Sequence, residues 1–508
     1  MAHSKKFFLL FFFLLVLNLS AQSTFYVDPV NGNDSNSGTI DQPFKTISKG
    51  ISALTSSGTI YLRGGTYLLS NYVKPSKSGT ASGYFNLWAY PGEKPVLDFS
   101  GESLGTRGIY LTVSYWNIKG LEIKNAGDNG VYIQGGFNTI ENCSIHDNKD
   151  SGLQISGGGH DNRVINCDSY YNADPPDYGD ADGFSPKMDV GDNNYFYGCR
   201  SWNNCDDGWD GYLRGANNVT TTLENCWTWK NGYLKDGTDP GPQANGNGFK
   251  MGGSDNKDLM HNFVLKNCLS FDNKVKGFDQ NSNKGSMTLY NCTGFRNGTY
   301  NYSITTTVSA GKSVTIKNSI SLASTGVALM GSVIQQNNSW SPGFSVSNID
   351  FQSIDPSSAY GPRKPDGSLP DIEFMHLQPG SNLVDTGVNV GIPFTGIAPD
   401  LGAFEYGMTM PTNVESSNQI PDEFLLEQNY PNPFNPVTTI SYQIPADGHV
   451  ELKVFDLLGR EVASLVNSEQ AKGKYRIKFD GSNFSSGIYF YQLRTSNFVG
   501  TKKLLILK

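Results

Sequence analysis

Six copies of a short motif between residues 129 and 279 constrain this chain more than any other feature. They read Asn129-Gly130-Val131-Tyr132, Ser151-Gly152-Leu153-Gln154, Asp182-Gly183-Phe184-Ser185, Asp207-Gly208-Trp209-Asp210, Asn247-Gly248-Phe249-Lys250 and Lys276-Gly277-Phe278-Asp279. Each reads as a turn glycine, one large apolar residue, and a residue expected to point outward. The glycines lie 22, 31, 25, 40 and 29 residues apart. A unit this small cannot bury an apolar face alone, so the copies are expected to stack as successive coils. Equivalent positions then sit one strand spacing apart, about 4.8 Å. The predicted architecture is all-β, a parallel β-helix whose irregular spacings reflect loop insertions.

Stacking brings particular side chains together. Asp182 falls over Asp207, Asp210 falls beside Lys250, and Asp206 completes a cluster of four carboxylates. Calcium takes six to eight oxygen ligands, often carboxylates, in flexible geometry. The alternative is a set of solvated turn aspartates, but uncompensated clustered carboxylates repel one another. Lys250 is set among small residues, Asn245-Gly246-Asn247-Gly248-Phe249-Lys250-Met251-Gly252-Gly253, which leave room for a large ligand. A nearby cation disfavours an ammonium and lowers its pKa, as a general base requires. A lone strand lysine would read as solvated. Its place one coil from the aspartates favours the base.

Long insertions at 173–180 and 232–244 flank these motifs and are expected to form a binding surface. Tyr170, Tyr171, Tyr178, Trp202, Trp209, Trp227, Trp229 and Tyr233 cluster in the same stretch. Trp209 takes an inward position, and others are candidates for packing against sugar rings. Lys187 and Arg214 are candidates for holding substrate carboxylates, with a solvated face as the alternative.

Five cysteines, Cys143, Cys167, Cys199, Cys268 and Cys292, follow an asparagine or glycine at one point of the repeat, and Cys226 makes a sixth. They read as small buried thiols in a ladder, with asparagines hydrogen-bonding along the turn. An odd total of seven does not favour a disulfide framework. Cys205 stands outside the ladder and leaves a Cys199–Cys205 pairing open. No Cys/His spacing points to zinc.

Residues 1–22 read as a secretion signal, with Lys5 and Lys6 before the apolar run Phe7 to Leu17. That run is too short to span a membrane comfortably. A β-helix is expected over 23–407, with a short amphipathic helix over Pro43 to Leu54 covering the open end and Gly58 to Tyr67 as the first coil. Asp400 to Tyr406 is expected to close the last coil. A polar linker follows at 408–421, then a small β-sandwich over 422–508 with strands at Thr438–Ile444, His449–Phe455, Tyr475–Phe479 and Ile488–Leu493. The net charge of −8 disfavours nucleic acid as a partner and would repel a polyanion unless a cation intervened. The chain is expected to be a monomer.

Two resemblances sharpen these expectations. Asp180-Ala181-Asp182-Gly183-Phe184, Arg200 to Asp210 and Gly246 to Gly253 resemble family 9 of the polysaccharide lyases, as does the opening from Thr24 to Tyr67. The resemblance implies a calcium-dependent pectate lyase with a right-handed parallel β-helix. It implies calcium on Asp182, Asp206, Asp207 and Asp210, catalysis by Lys250, and β-elimination on polygalacturonate, an anionic polysaccharide. Another uronate polymer such as rhamnogalacturonan, or a non-catalytic glycan-binding β-helix, remains open at this point. The second resemblance covers Asn429-Tyr430-Pro431-Asn432-Pro433-Phe434-Asn435-Pro436, Phe455 to Val462, Ser486 to Phe490 and the tail Thr501 to Lys508. It is to the C-terminal sorting domain of type IX secretion substrates, and implies that machinery as a partner and a secreted or cell-surface location.

Overall fold

The computed structural model describes residues 23–408 and 424–507, apart from 427, 430, 431, 435, 458, 471 and 483. The expected signal at 1–22 and all but Met408 of the expected linker lie outside the described residues. The chain forms two compact units, 1–410 and 411–508.

The first unit winds through three sheets of 12, 10 and 9 strands, all paired in parallel. One coil shows the pattern: Arg163–Ile165 in the first sheet, Asp168–Tyr170 in the second, Phe184–Pro186 in the third. Each strand pairs with its equivalents one coil before and after. This is the parallel β-helix expected from the repeat, with the right hand that the resemblance implies.

The motif glycines serve a purpose other than turning. Gly183, Gly208 and Gly248 do not adopt a left-handed backbone. A Cβ on them would stand 2.0, 2.1 and 2.2 Å from the hydroxyls of Ser201, Thr228 and Ser270. Each would also meet the carbonyl oxygen of the next motif glycine, or of its equivalent, 2.5 to 2.7 Å away. Glycine is needed because the third sheet lies tightly against an internal polar spine. That spine is an asparagine ladder in which each side-chain amide donates to the next carbonyl oxygen. Asn148, Asn172, Asn204, Asn231 and Asn273 are joined at 2.9, 2.8, 2.9 and 2.9 Å. Asn204 and Asn231 also donate to Ser201 and Thr228 at 2.9 and 2.8 Å.

The ladder asparagines are not the ones that precede the cysteines. Asn142, Asn166, Asn225, Asn267 and Asn291 take the left-handed conformation, φ 51 to 54°, with Gly198 at 61° in the same place. Asparagine tolerates that region, so these residues make the corner between the first and second sheets. The cysteines behind them are buried and all seven are free, including Cys199 and Cys205. Cys199 donates weakly to the Val164 carbonyl at 3.3 Å.

Both ends differ from expectation. The helix is shorter, Ile47–Ala53, capped by the Thr46 hydroxyl accepting from the Lys49 amide. The first rung is Ser23–Val27, before Gly58–Leu62, because its register matches that strand residue for residue. Asp400 to Tyr406 does not close a coil. Leu401, Ala403 and Phe404 are buried against the outer face of the second sheet with Trp227, Leu269, Phe271 and Ile320. The outward row of that sheet would otherwise be an exposed apolar face.

The second unit has an antiparallel sheet of three strands and another of four around one apolar core. All four expected strands are present, as Val437–Ile444, Gly448–Phe455, Gly473–Asp480 and Gly487–Arg494. Glu461–Gln470 and Val499–Ile506 were not expected as strands.

The spine makes a stability prediction. Asn231→Ala leaves buried partners unsatisfied and should destabilise the first unit by about 1–3 kcal/mol. Gly208→Ala forces a methyl into occupied space and should cost at least about 1–3 kcal/mol. Unfolding midpoints in denaturant equal to wild type for both variants would refute this role of the spine.

Candidate active site

The site is built where the chain enters the strands of the third sheet. Asp182 precedes Phe184–Pro186, Asp206 and Asp207 precede Trp209–Asp210, and Lys250 ends Phe249–Lys250. Phe184 pairs with Trp209, so Asp182 stands over Asp207, and the Asp207 amide donates to Asp182 Oδ1 at 3.1 Å. Asp210 pairs with Lys250. Carboxylate oxygens of Asp182, Asp206 and Asp207 lie within 4.8 Å of one another. Asp210 is not in that set. It stands at the edge, its Oδ1 accepting from the Tyr212 amide at 3.0 Å and lying 3.4 Å from Lys250 Nζ.

Each carboxylate is held by a different device. Asp182 Oδ2 accepts from the Ser185 and Ser151 hydroxyls at 2.8 and 3.2 Å. Asp206 Oδ1 accepts from the Asn245 amide at 2.5 Å, so the end of the long 232–244 insertion seats it. Asp207 Oδ1 accepts from the Asn247 backbone and side chain at 2.7 and 2.9 Å. Asp207 Oδ2 is buried and faces Lys250 Nζ in an ion pair at 3.0 Å.

Burial pushes the carboxyls up. Asp182 is raised to about 7: desolvation dominates, the Lys187 ammonium opposes it, and Asp210 and Asp207 add to it. Desolvation and Asp207 raise Asp206, and desolvation raises Asp207 against the pull of Lys250. Burial alone would lower Lys250, but Asp207, Asp210, Asp206 and Asp182 outweigh it and hold the amine well above its ordinary range.

Lys187 is not the substrate-carboxylate holder considered from sequence. It is 3% exposed and lies 2.7 Å from Asp182 Oδ2, so it is the internal counter-charge of the cluster. It also donates to the Asp180 carbonyl at 3.0 Å. Arg214 is exposed and paired with Asp255 at 3.3 Å. The tryptophans are likewise placed elsewhere. Tyr170, Trp202 and Trp229 stack in one column on the outside of the second sheet, 4.3 and 4.8 Å between rings, and Tyr360 packs on Trp229 at 5.7 Å. The two insertions line a cleft of about 440 Å³ with Tyr171, Pro175, Tyr178, Leu234 and Lys235, and none of the five site residues borders it.

Sequence reasoning missed Ser151, Ser185, Asn245, Asn247 and Tyr212. Asn247 had a signal, since it occupies the motif position of Asp207 one coil on. Tyr212 had none. Lys250 Nζ lies 5.8 Å from its ring centre, and its hydroxyl donates to Asp255 at 2.7 Å.

A parallel β-helix with a buried acid cluster and a lysine on one outer strand column is the architecture of a polysaccharide lyase, and the comparisons with known proteins agree. The family described as "Pel9A-like, right handed beta helix region" matches residues 25–323, and the chain belongs to it. The chain is similar to Pectate lyase L of Dickeya dadantii (strain 3937), 36% identical over 405 residues, covering 77% of this chain and 92% of that protein. It is similar to the crystal structure of pectate lyase Pel9A, with a TM-score of 0.70 at 36% identity, covering 76% of this chain and 97% of that one. A rhamnogalacturonan lyase structure gives a TM-score of 0.61 at 26% identity, covering 70% of this chain and 96% of that one. Residues 428–507 match the "Secretion system C-terminal sorting domain". The chain is thus a polysaccharide lyase exported by type IX secretion. Among the described residues no helix is long and apolar enough to cross a membrane.

The raised aspartate predicts a pH response without metal. Asp182 ionises near 3.8 when unfolded and at about 7 when folded, so the folded state binds the proton more tightly. Stability of chelated protein should be fully present below the lower value and fall as pH rises through the higher one. Asp182→Asn should flatten that decline. A melting temperature that rises with pH over this window would contradict the assignment.

Proposed function

We propose that this chain is a calcium-dependent pectate lyase that cleaves polygalacturonate by β-elimination, acting as a monomer. The observation that carries the reading is the group of three buried carboxylates, Asp182, Asp206 and Asp207, with oxygens within 4.8 Å of one another and Lys250 Nζ 3.0 Å from Asp207 Oδ2. The donors are all hard oxygens, the choice of calcium rather than a softer metal. Asp182, Asp206 and Asp207 would hold the ion, with Asp210 at the edge of the shell. Bound there, it would supply a positive partner for a uronate carboxylate and for the charge that develops beside it.

The chain's own residues do the rest. Asp207 and Asp210 hold Lys250 Nζ in place at 3.0 and 3.4 Å. With the carboxylate charge neutralised, burial dominates the lysine and lowers its pKa. Neutral Lys250 Nζ then takes the C5 proton, alpha to the uronate carboxylate. The C4–O bond breaks, the departing oxygen takes a proton from water, and Lys250 releases its own to solvent, leaving an unsaturated uronate end and a new free sugar end. Lys187 stays protonated against Asp182 and Asp210, and keeps the cluster assembled through the cycle.

Pectate is favoured over rhamnogalacturonan by the higher identity and coverage of the pectate lyases. The similarity to a rhamnogalacturonan lyase structure keeps that backbone as the second reading. Incubation with each polymer, following absorbance of unsaturated product, decides between them.

Chelation should abolish turnover and calcium should restore it, while zinc or sodium should not. Lys250→Ala should lower kcat by about 10²–10⁴, the range of a lost general base. Lys250→Arg should be nearly as damaging, because guanidinium stays protonated. The rate should rise with pH on the alkaline side of neutral. Turnover surviving exhaustive chelation, or an arginine variant near the wild-type rate, would sink the assignment.

The proposed domain boundaries are 23–407 for the lyase and 422–508 for the sorting domain. Residues 23–407 alone should fold and retain full activity in vitro, but should not be exported by the native host. An insoluble or inactive truncation counts against the first boundary, and normal surface delivery counts against the second.

A further inference from the structure

The outward positions of the third sheet form one column that runs well beyond the lysine. Val73 bridges Ile109, which sets Lys74 in register with Tyr110. Tyr110 pairs with Tyr132, Tyr132 with Gln154, and Gln154 with Ser185. The pairing of Phe184 with Trp209 carries the column to Asp210, which pairs with Lys250. Tyr132 and Lys74 therefore share the face of Lys250, four and six strand steps away, about 19 and 29 Å.

This remote stretch carries two cations seated on aromatic rings. Lys74 Nζ lies 4.3 Å from the centre of the Tyr110 ring. The Arg107 guanidinium lies 3.6 Å from that of Tyr132 and 5.1 Å from that of Tyr110. Tyr110 in turn packs edge-on against Tyr132 at 5.6 Å. Ring faces hold a cation in place without neutralising it. The acid facing Arg107 is Asp128, at 3.9 Å, and Arg107 Nε has no hydrogen-bond partner. Lys74 is exposed and in no ion pair among the described residues. On a chain of net charge −8, such cations are unusual features of the face that would receive a polyanion. In the other direction the column continues to Asp279, which is paired with Lys276 at 3.1 Å.

We propose that Lys74 and Arg107, seated on Tyr110 and Tyr132, form a remote subsite for the carboxylates of uronate units far from the bond being broken. The occupant is the substrate chain itself, extended along the third sheet toward the N-terminal end. This inference rests on the substrate being a uronate polymer. The two cations hold chain that takes no part in the chemistry, so they add affinity for long substrates without changing the reacting centre.

The test compares full-length wild type with Lys74→Gln/Arg107→Gln, in calcium, on polygalacturonate and on trigalacturonate. A trimer seated at Lys250 is too short to reach Tyr132. KM on the polymer should rise about five-fold or more, the scale of two exposed charge contacts, with kcat unchanged. Kinetics on the trimer should be unaffected, and the polymer difference should shrink at high salt. An unchanged polymer KM overturns the subsite. An equal loss on polymer and trimer also overturns it, since it marks general damage, as would a lowered melting temperature with the same pattern. Wild type inactive on every uronate polymer would overturn the functional reading instead, and this inference with it.

Discussion

Close approach between the third sheet and the asparagine spine governs the rest of the first unit. A motif glycine lets the strand backbone lie against a serine or threonine hydroxyl where any Cβ would collide. The same contact lets the spine run unbroken through the interior, amide to carbonyl, coil after coil. Both depend on the coils keeping a constant rise. A constant rise in turn is what sets an aspartate of one coil at hydrogen-bonding distance from the next.

The site shows how a fold can gather charge that a smaller protein could not afford. Three buried carboxylates lie together, and the surroundings compensate them only in part. Lys187 supplies one internal positive charge, and backbone amides of Asp207, Asn245 and Asn247 supply fixed dipoles. Lys250 meets Asp207 Oδ2 at 3.0 Å. The aspartates hold Lys250 protonated. In the proposed reading, this electrostatic coupling would tie proton abstraction by Lys250 to a loaded cation site.

The outer face of the second sheet illustrates the opposite use of the same repeat. Its strands carry Trp202, Trp227, Trp229 and Phe271 outward, and the segment from Phe351 to Phe404 covers much of them. Arg200 and Arg363 pin that segment by sharing Asp168 at 2.8 and 2.7 Å. Paired with two guanidiniums, Asp168 is held down at about 2 despite its burial. The second sheet is therefore sealed by chain that returns from later in the sequence.

Repetition made much of this protein readable from sequence. The spacing of the motif glycines implied coils, coils implied register, and register placed Asp182 over Asp207 and Asp210 beside Lys250. Asn247 was missed, although its motif position, that of Asp207 one coil on, carried the signal. What a repeat cannot encode is anything that breaks it. The burial of Lys187, the seating of Asp206 by the end of an insertion, and the packing of Leu401 to Phe404 against a distant sheet all join residues with no periodic relation. The reason for the glycines was also hidden, because a turn and a close contact select the same residue. Local pattern determines which residues share a face; which charges are compensated, and which face stays open, depends on chain that returns from elsewhere in the sequence.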